Sequence, residues 1–184
     1  MSLKIHTIEN APEKSKAILE GVKAKFGFVP NLMGAFAASP EILQAYLTVS
    51  SLLDETSLTE TERQIALLAA SSVNNCEYCM AVHSTVSKMQ NLPADVIEAV
   101  RGNSVIGDRK LEAFRQFVIA VTEKRGFVEA DEIAAFLDAG YTEQNILEVI
   151  LAVAMKTLSN YTNHIAETPL DEAFAPAKWK KAAA

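Results

Sequence analysis

The chain has 184 residues, 49% apolar and 22% charged. That is an ordinary composition for a chain that packs a core, it argues against disorder, and the length suits a single domain, residues 1–184, that needs no covalent staples. Seventeen basic residues against 23 acidic ones give a net charge of −6, which leaves no basic cluster for a phosphate backbone and sets nucleic acid aside as a partner. The longest apolar run, Val149 to Met155, is seven residues where a membrane span needs about 20. Met1 to His6 has no hydrophobic stretch of signal-peptide length, so a cytoplasmic protein with no membrane association is expected.

Helical periodicity dominates and strand alternation is scarce. Pro12 opens a helix to about Lys25, and Gly27 ends it. Pro30 starts a short apolar segment through Phe36. Ser39 and Pro40 read as N-cap and first position of a helix to about Leu53. Thr59 and Glu62 have capping-box spacing and open a helix to about Val73. Asn74 and Asn75 end that helix and cap the next, expected from Cys76 to about Gln90. Pro93 opens a shorter helix ended by Gly102. Asp108 to about Lys124 is amphipathic. A helix from Glu129 to about Asp138 stops before Gly140, and the last strong helix spans Thr142 to Leu158 with a continuation toward Glu167. The tail, with Pro169 and Pro176 and an Ala-rich end, is expected to pack loosely. Phe114, Phe117, Phe127 and Phe136 read as core. The fold class is therefore all-α, with eight or nine helices. One internal echo stands out: Ser57-Leu58-Thr59-Glu60 and Gly140-Tyr141-Thr142-Glu143 each precede an apolar helix, an Asn-containing stretch and a histidine, His83 or His164.

The chemistry concentrates in Asn74-Asn75-Cys76-Glu77-Tyr78-Cys79-Met80-Ala81-Val82-His83. On a helix Cys76, Cys79 and His83 fall near one face. Cys79 and His83 are then about 6 Å apart along the axis, Cys76 and His83 about 10.5 Å. His83 reaches Cys79 directly or through one water, and reaches Cys76 poorly. A thiolate is the nucleophile, a nearby base takes its proton, and a second thiol one turn away converts a sulfenic acid to a disulfide. The helix N-terminus favours charge on Cys76 whereas the histidine favours Cys79, so the residues alone leave the order open. A pair of buried hydrophobes is the bland reading. A zinc site needs a fourth ligand from His164, His6 or a carboxylate.

The run from Leu58 to His83, with Asn-Asn-Cys-Glu-Tyr-Cys and the histidine, resembles the alkylhydroperoxidase D-like branch of the carboxymuconolactone decarboxylase family. The resemblance extends more weakly through Ile146-Leu147-Glu148-Val149 to about Asn163, and the family-like core is about residues 40–170. It implies an all-helical, oligomeric bundle, trimer or hexamer, with no haem, flavin or metal. It implies a thiol-dependent peroxidase in which Cys79 is peroxidatic, Cys76 resolves and His83 relays the proton. The partners implied are a hydroperoxide substrate and a dithiol reductant, lipoyl-bearing or thioredoxin-like. The sequence departs from the family at Gln64, where a glutamate usually orients the histidine; glutamine can hydrogen-bond an imidazole but cannot compensate its charge. Glu62 and Glu148 are the candidate replacement carboxylates, and Tyr78, between the cysteines, lines a pocket or packs at a subunit contact. The alternatives to a peroxidase are a lyase acting on a small organic acid, as in the decarboxylase branch, and a non-catalytic thiol redox sensor.

Overall fold

The structure is a computed structural model that describes residues 3–181. Met1, Ser2 and the Ala-rich end, Ala182 to Ala184, lie outside the described residues. Among those described, nine α-helices follow one another with no strand: α1 (Glu13–Phe26), α2 (Asn31–Phe36), α3 (Pro40–Asp54), α4 (Glu60–Val73), α5 (Glu77–Met89), α6 (Ala94–Arg101), α7 (Arg109–Glu123), α8 (Ala130–Asp138) and α9 (Glu143–Ala166), then a 3₁₀ turn at Glu172–Ala177. The all-α expectation holds, and the termini follow the local signals. Gly27 ends α1 at φ 82°, a left-handed position that glycine occupies without a Cβ penalty. Thr59 and Glu62 form the reciprocal capping box at the start of α4.

α4 is the central helix, packed against α5, α6, α7 and α9. Every residue from Gln64 to Ser71 is buried, which is why the sequence there is apolar all round instead of striped. On one side of α4 lies an aromatic cluster. The ring of Phe136 stacks on Phe117 at 4.2 Å and on Tyr141 at 4.5 Å, with Phe114 beside Tyr141 at 5.2 Å. On its other side α5 and α9 enclose a polar interior.

Several expectations are corrected. Phe127 is 82% exposed; it sits in the turn between α7 and α8, beyond the end of the helical stripe that suggested core. Ser39 and Pro40 do hold the N-cap and first position of α3 as expected, but the Ser39 hydroxyl donates to the Glu41 carboxylate and caps no backbone N–H. Asn75 does not cap α5; it takes the left-handed φ of 54°, and Cys76 becomes the N-cap, outside the helix. The expected continuation of the last helix toward Glu167 holds: α9 ends at Ala166 after 24 residues.

The tail is anchored. Asp171 accepts from the Tyr78 hydroxyl at 2.6 Å and the Asn31 backbone N–H at 3.1 Å. Phe174 packs between Phe28 and Tyr78, and buried Trp179 donates its indole N–H to the Arg101 carbonyl. None of these contacts has a helical period, so a reading based on periodicity misses them.

Candidate functional site

The cysteines are presented by the break between α4 and α5. Asn74 closes α4, Asn75 turns the chain, and the Cys76 N–H donates back to the Ser71 carbonyl at 2.9 Å. The turn is clamped to α9: the Asn74 side-chain amide donates to the Asn160 carbonyl oxygen at 2.9 Å, and the Asn160 amide donates to the Ser71 hydroxyl at 3.3 Å. Cys76 therefore stands at the N-cap and Cys79 at the third residue of α5, the two positions that Thr59 and Glu62 occupy on α4. Both thiols are free and buried, 1% and 2% exposed.

Their surroundings drive the two thiols apart. Burial opposes ionisation of Cys79, yet the Cys76 thiol that hydrogen-bonds to it, the Lys156 ammonium and the Ser159 hydroxyl hold it well below the ordinary thiol range. Cys76 is pushed up, first by serving as that hydrogen-bond donor and then by burial. The helix start adds its partial positive charge to the site. Asn163 bridges both sulfurs, its side-chain amide donating to Cys79 Sγ at 3.3 Å and reaching Cys76 Sγ at 3.7 Å. The Asn163 carbonyl oxygen is buried without a hydrogen-bond partner. Tyr46, on α3, lies within electrostatic reach of both sulfurs; burial first, then their charges, push its phenol up.

His83 is buried and does not touch the thiols. Its Nε2 lies 2.9 Å from Lys156 Nζ and its Nδ1 3.1 Å from Gln64 Oε1. An ammonium can only donate, so Nε2 accepts and Nδ1 carries the proton, donated to the Gln64 carbonyl oxygen. Burial, followed by the Lys156 charge, holds His83 well below the ordinary imidazole range, so the ring is neutral. The hydrogen-bonded chain is Gln64, His83, Lys156, and the Lys156 charge acts on Cys79. Gln64 does what the sequence suggests and hydrogen-bonds the histidine, while the expected reach of His83 to Cys79 runs through Lys156.

The remaining candidates lie elsewhere. Glu62 completes the Thr59 capping box and accepts from the Tyr141 hydroxyl at 2.8 Å. Glu148 accepts from the Ser57 N–H and hydroxyl, both at 2.8 Å, and from Gln144 and Asn145; these bonds outweigh partial burial and lower its pKa. Neither carboxylate contacts His83. Tyr78 points away from the sulfurs: its hydroxyl donates to Asp171 and accepts from the Leu32 N–H at 3.3 Å, within the same chain. His164 is exposed, and the His6 ring pairs with Asn10. Among the described residues no group of three or more His, Cys, Asp or Glu is placed to hold a metal ion.

Lys156, Ser159, Asn160 and Asn163 carry much of the site; Asn160 and Asn163 stand out in the sequence as a polar cluster beside His164, whereas Lys156 and Ser159 do not. A signal was present. Val149, Ala152, Met155, Lys156, Ser159, Asn160 and Asn163 recur at helical spacing, and all are buried. Lys156 is seven residues after Val149, on the same face, where a charge needs a reason.

Residues 40–123 match the carboxymuconolactone decarboxylase family model. No curated protein sequence matches the chain significantly. Among solved structures, an uncharacterised peroxidase-related protein from Ralstonia eutropha, described as an alkylhydroperoxidase AhpD core, superimposes with a TM-score of 0.82 at 22% identity, covering 94% of this chain and 93% of that one. A peroxidase-related protein from a Silicibacter species gives 0.80 at 18% identity, with 94% and 93% covered. A variant of the debrominase Bmp8 in complex with 2,3,4-tribromopyrrole gives 0.77 at 16% identity, with 96% and 97% covered. The resemblance drawn from Leu58 to His83 is borne out.

Proposed function

From its place in the carboxymuconolactone decarboxylase family, with an alkylhydroperoxidase D-like fold, we propose that this chain is a thiol-dependent hydroperoxide reductase. The observation that carries the reading is a pair of free thiols one helix turn apart, at the N-cap and third residue of α5, both reached by the Asn163 amide, at 3.3 Å for Cys79 and 3.7 Å for Cys76; their surroundings push Cys79 toward thiolate and Cys76 toward thiol. A peroxidatic and a resolving cysteine need that division.

In the proposed cycle Cys79 thiolate attacks the terminal peroxide oxygen. The O–O bond breaks, Cys79 becomes a sulfenic acid and the alkoxide leaves as the alcohol after taking one proton. The Cys76 thiol then condenses with the sulfenic acid, forming the disulfide and releasing water. A dithiol reductant, lipoyl-bearing or thioredoxin-like, returns two electrons and two protons. His83 stands in the site as the neutral group behind Lys156, hydrogen-bonded to it. No haem, flavin or metal takes part. The exposed apolar residues Leu147, Ile150, Tyr161 and Ile165 on α9 support a homo-oligomer, since such a stripe favours burial against another surface; the family resemblance implies a trimer or hexamer. A cytoplasmic, reducing location fits two free thiols; among the described residues no helix is long and apolar enough to cross a membrane.

The test mixes reduced protein with an organic hydroperoxide and follows thiol loss by rapid quench and intact mass. Loss of both thiols with a two-hydrogen decrease in mass is expected, abolished by Cys79→Ser, while Cys76→Ser accumulates a sulfenic acid. Thiol loss no faster than that of free cysteine overturns the reading and favours the small-acid lyase or the redox sensor.

A further inference from the structure

Lys156 is fully buried on α9, 0% exposed. Among the described residues no carboxylate lies within ion-pair distance of it. Its side chain meets a neutral imidazole, His83 Nε2 at 2.9 Å, and its charge acts on the Cys79 sulfur, which the amide of Asn163, seven residues further along the same face of α9, reaches at 3.3 Å. A buried ammonium without an anion costs several kcal/mol. The groups within reach of its charge that can supply the anion are the two thiols, and of these Cys79 has the closer donor, the Asn163 amide at 3.3 Å against 3.7 Å for Cys76, so the lysine and the Cys79 thiolate account for each other. Gln64 fits the same charge balance: a carboxylate in its place would add an anion behind a ring that carries no charge.

We propose that Lys156 is a catalytic residue, both counter-ion to the Cys79 thiolate and the acid that protonates the departing alkoxide, and that His83 is a positioning residue holding its amine. The inference rests on the hydroperoxide-reductase reading. The step balances: Cys79–S⁻, the hydroperoxide and the Lys156 ammonium give Cys79–SOH, the alcohol and the neutral amine. Reduction of the later disulfide by a dithiol leaves one proton on Cys76 and returns one to Lys156. The geometry favours lysine over histidine for this step. His83 has its Nε2 lone pair already engaged by Lys156 and its Nδ1 proton committed to Gln64, so it holds no proton directed at the sulfur. Lys156 holds its proton beside the sulfur at which the O–O bond breaks. The role is open to lysine because a lysine amine can lose and regain a proton, whereas a guanidinium stays protonated.

The experiment uses the full chain with Lys156→Met, Lys156→Arg, His83→Gln and His83→Ala, each checked for a native melting transition. Removing one partner of a buried pair leaves the other charge uncompensated, but the Cys79 thiolate takes up a proton and becomes neutral, so Lys156→Met leaves no buried ion behind. The ultraviolet thiolate band at neutral pH is expected in the unmodified protein and in Lys156→Arg, and absent in Lys156→Met. Single-turnover oxidation by an alkyl hydroperoxide, whose alkoxide needs a proton, is expected to slow about 100-fold in Lys156→Arg. Oxidation by a peroxy acid, whose carboxylate leaves unprotonated, is expected to slow far less. His83→Gln, whose side-chain oxygen can accept from Lys156, is expected to recover most of what His83→Ala loses. A thiolate band that survives in Lys156→Met overturns the counter-ion role. Equal slowing for both oxidants, or none, in Lys156→Arg overturns the acid role. A His83→Gln variant as slow as Lys156→Arg and selective in the same way moves the acid to His83. An unmodified protein that is inert to both oxidants overturns the peroxidase reading itself, a result separate from these because it appears without any substitution.

Discussion

α4 and α9 begin alike and end differently. Thr59 and Glu62 close a capping box on α4; Thr142 and Asn145 close one on α9. The two starts also hold each other. Tyr141, just before the α9 box, donates to Glu62 of the α4 box, while Ser57, just before the α4 box, donates to Glu148 and accepts from Asn145 on α9. Beyond this shared beginning, α4 stops after 14 residues at Asn74 and Asn75, and α9 continues for 24. The break makes a new helix N-terminus and puts two thiols on it. The unbroken helix brings Lys156, Ser159, Asn160 and Asn163 to face that terminus. One motif yields the nucleophiles, its echo yields the groups that set their charge, and the reciprocal bonds at the far end fix the register between them.

That comparison can be broken from either end. The largest effect on stability is expected from Glu148→Ala, which removes charge-assisted bonds to the Ser57 N–H and hydroxyl; a loss of about 2 kcal/mol in urea unfolding at neutral pH is the expected result. The folded carboxylate has a lowered pKa, so its stabilisation is present above the unfolded value and lost as pH falls. The gap between Glu148→Ala and the unmodified protein is expected to narrow toward pH about 3.5. At the break, Asn75→Val places a β-branched residue at φ 54°, with an expected cost of about 1–2 kcal/mol, while Asn75→Gly should keep the melting temperature near that of the unmodified protein. Tyr141→Phe removes a single bond to a Glu62 that keeps its capping partners, and about 1 kcal/mol is expected from chemical denaturation. Phe127→Ser, remote from both helix starts and 82% exposed, is expected to change stability by less than about 0.5 kcal/mol.

The sequence revealed the helix starts because caps are local: Pro12, Thr59, Asp108 and Thr142 act on backbone within one turn. It revealed the thiols because Cys76 and Cys79 are rare residues at a meaningful spacing. Lys156, and the contact of Asn163 with the sulfurs, escaped because the partners lie 73 to 87 residues away in the chain, a separation that no window of periodicity spans. Glu62 and Glu148 drew notice as carboxylates near the motif, yet each is satisfied by backbone and hydroxyl donors at a helix start. The anchoring of the tail escaped for the same reason as Lys156: Asp171 meets Tyr78 through the fold, not through sequence proximity.

The central claim is that the break in α4–α5 and the continuity of α9 together hold Cys79, and not Cys76, as the thiolate. An ultraviolet pH titration of the thiolate band in the unmodified protein, Cys76→Ser and Cys79→Ser tests it without requiring any reagent to enter the buried site. One thiolate at neutral pH in the unmodified protein and in Cys76→Ser, and none in Cys79→Ser, is the predicted result. A neutral-pH thiolate that persists in Cys79→Ser, or is absent from the unmodified protein, contradicts it.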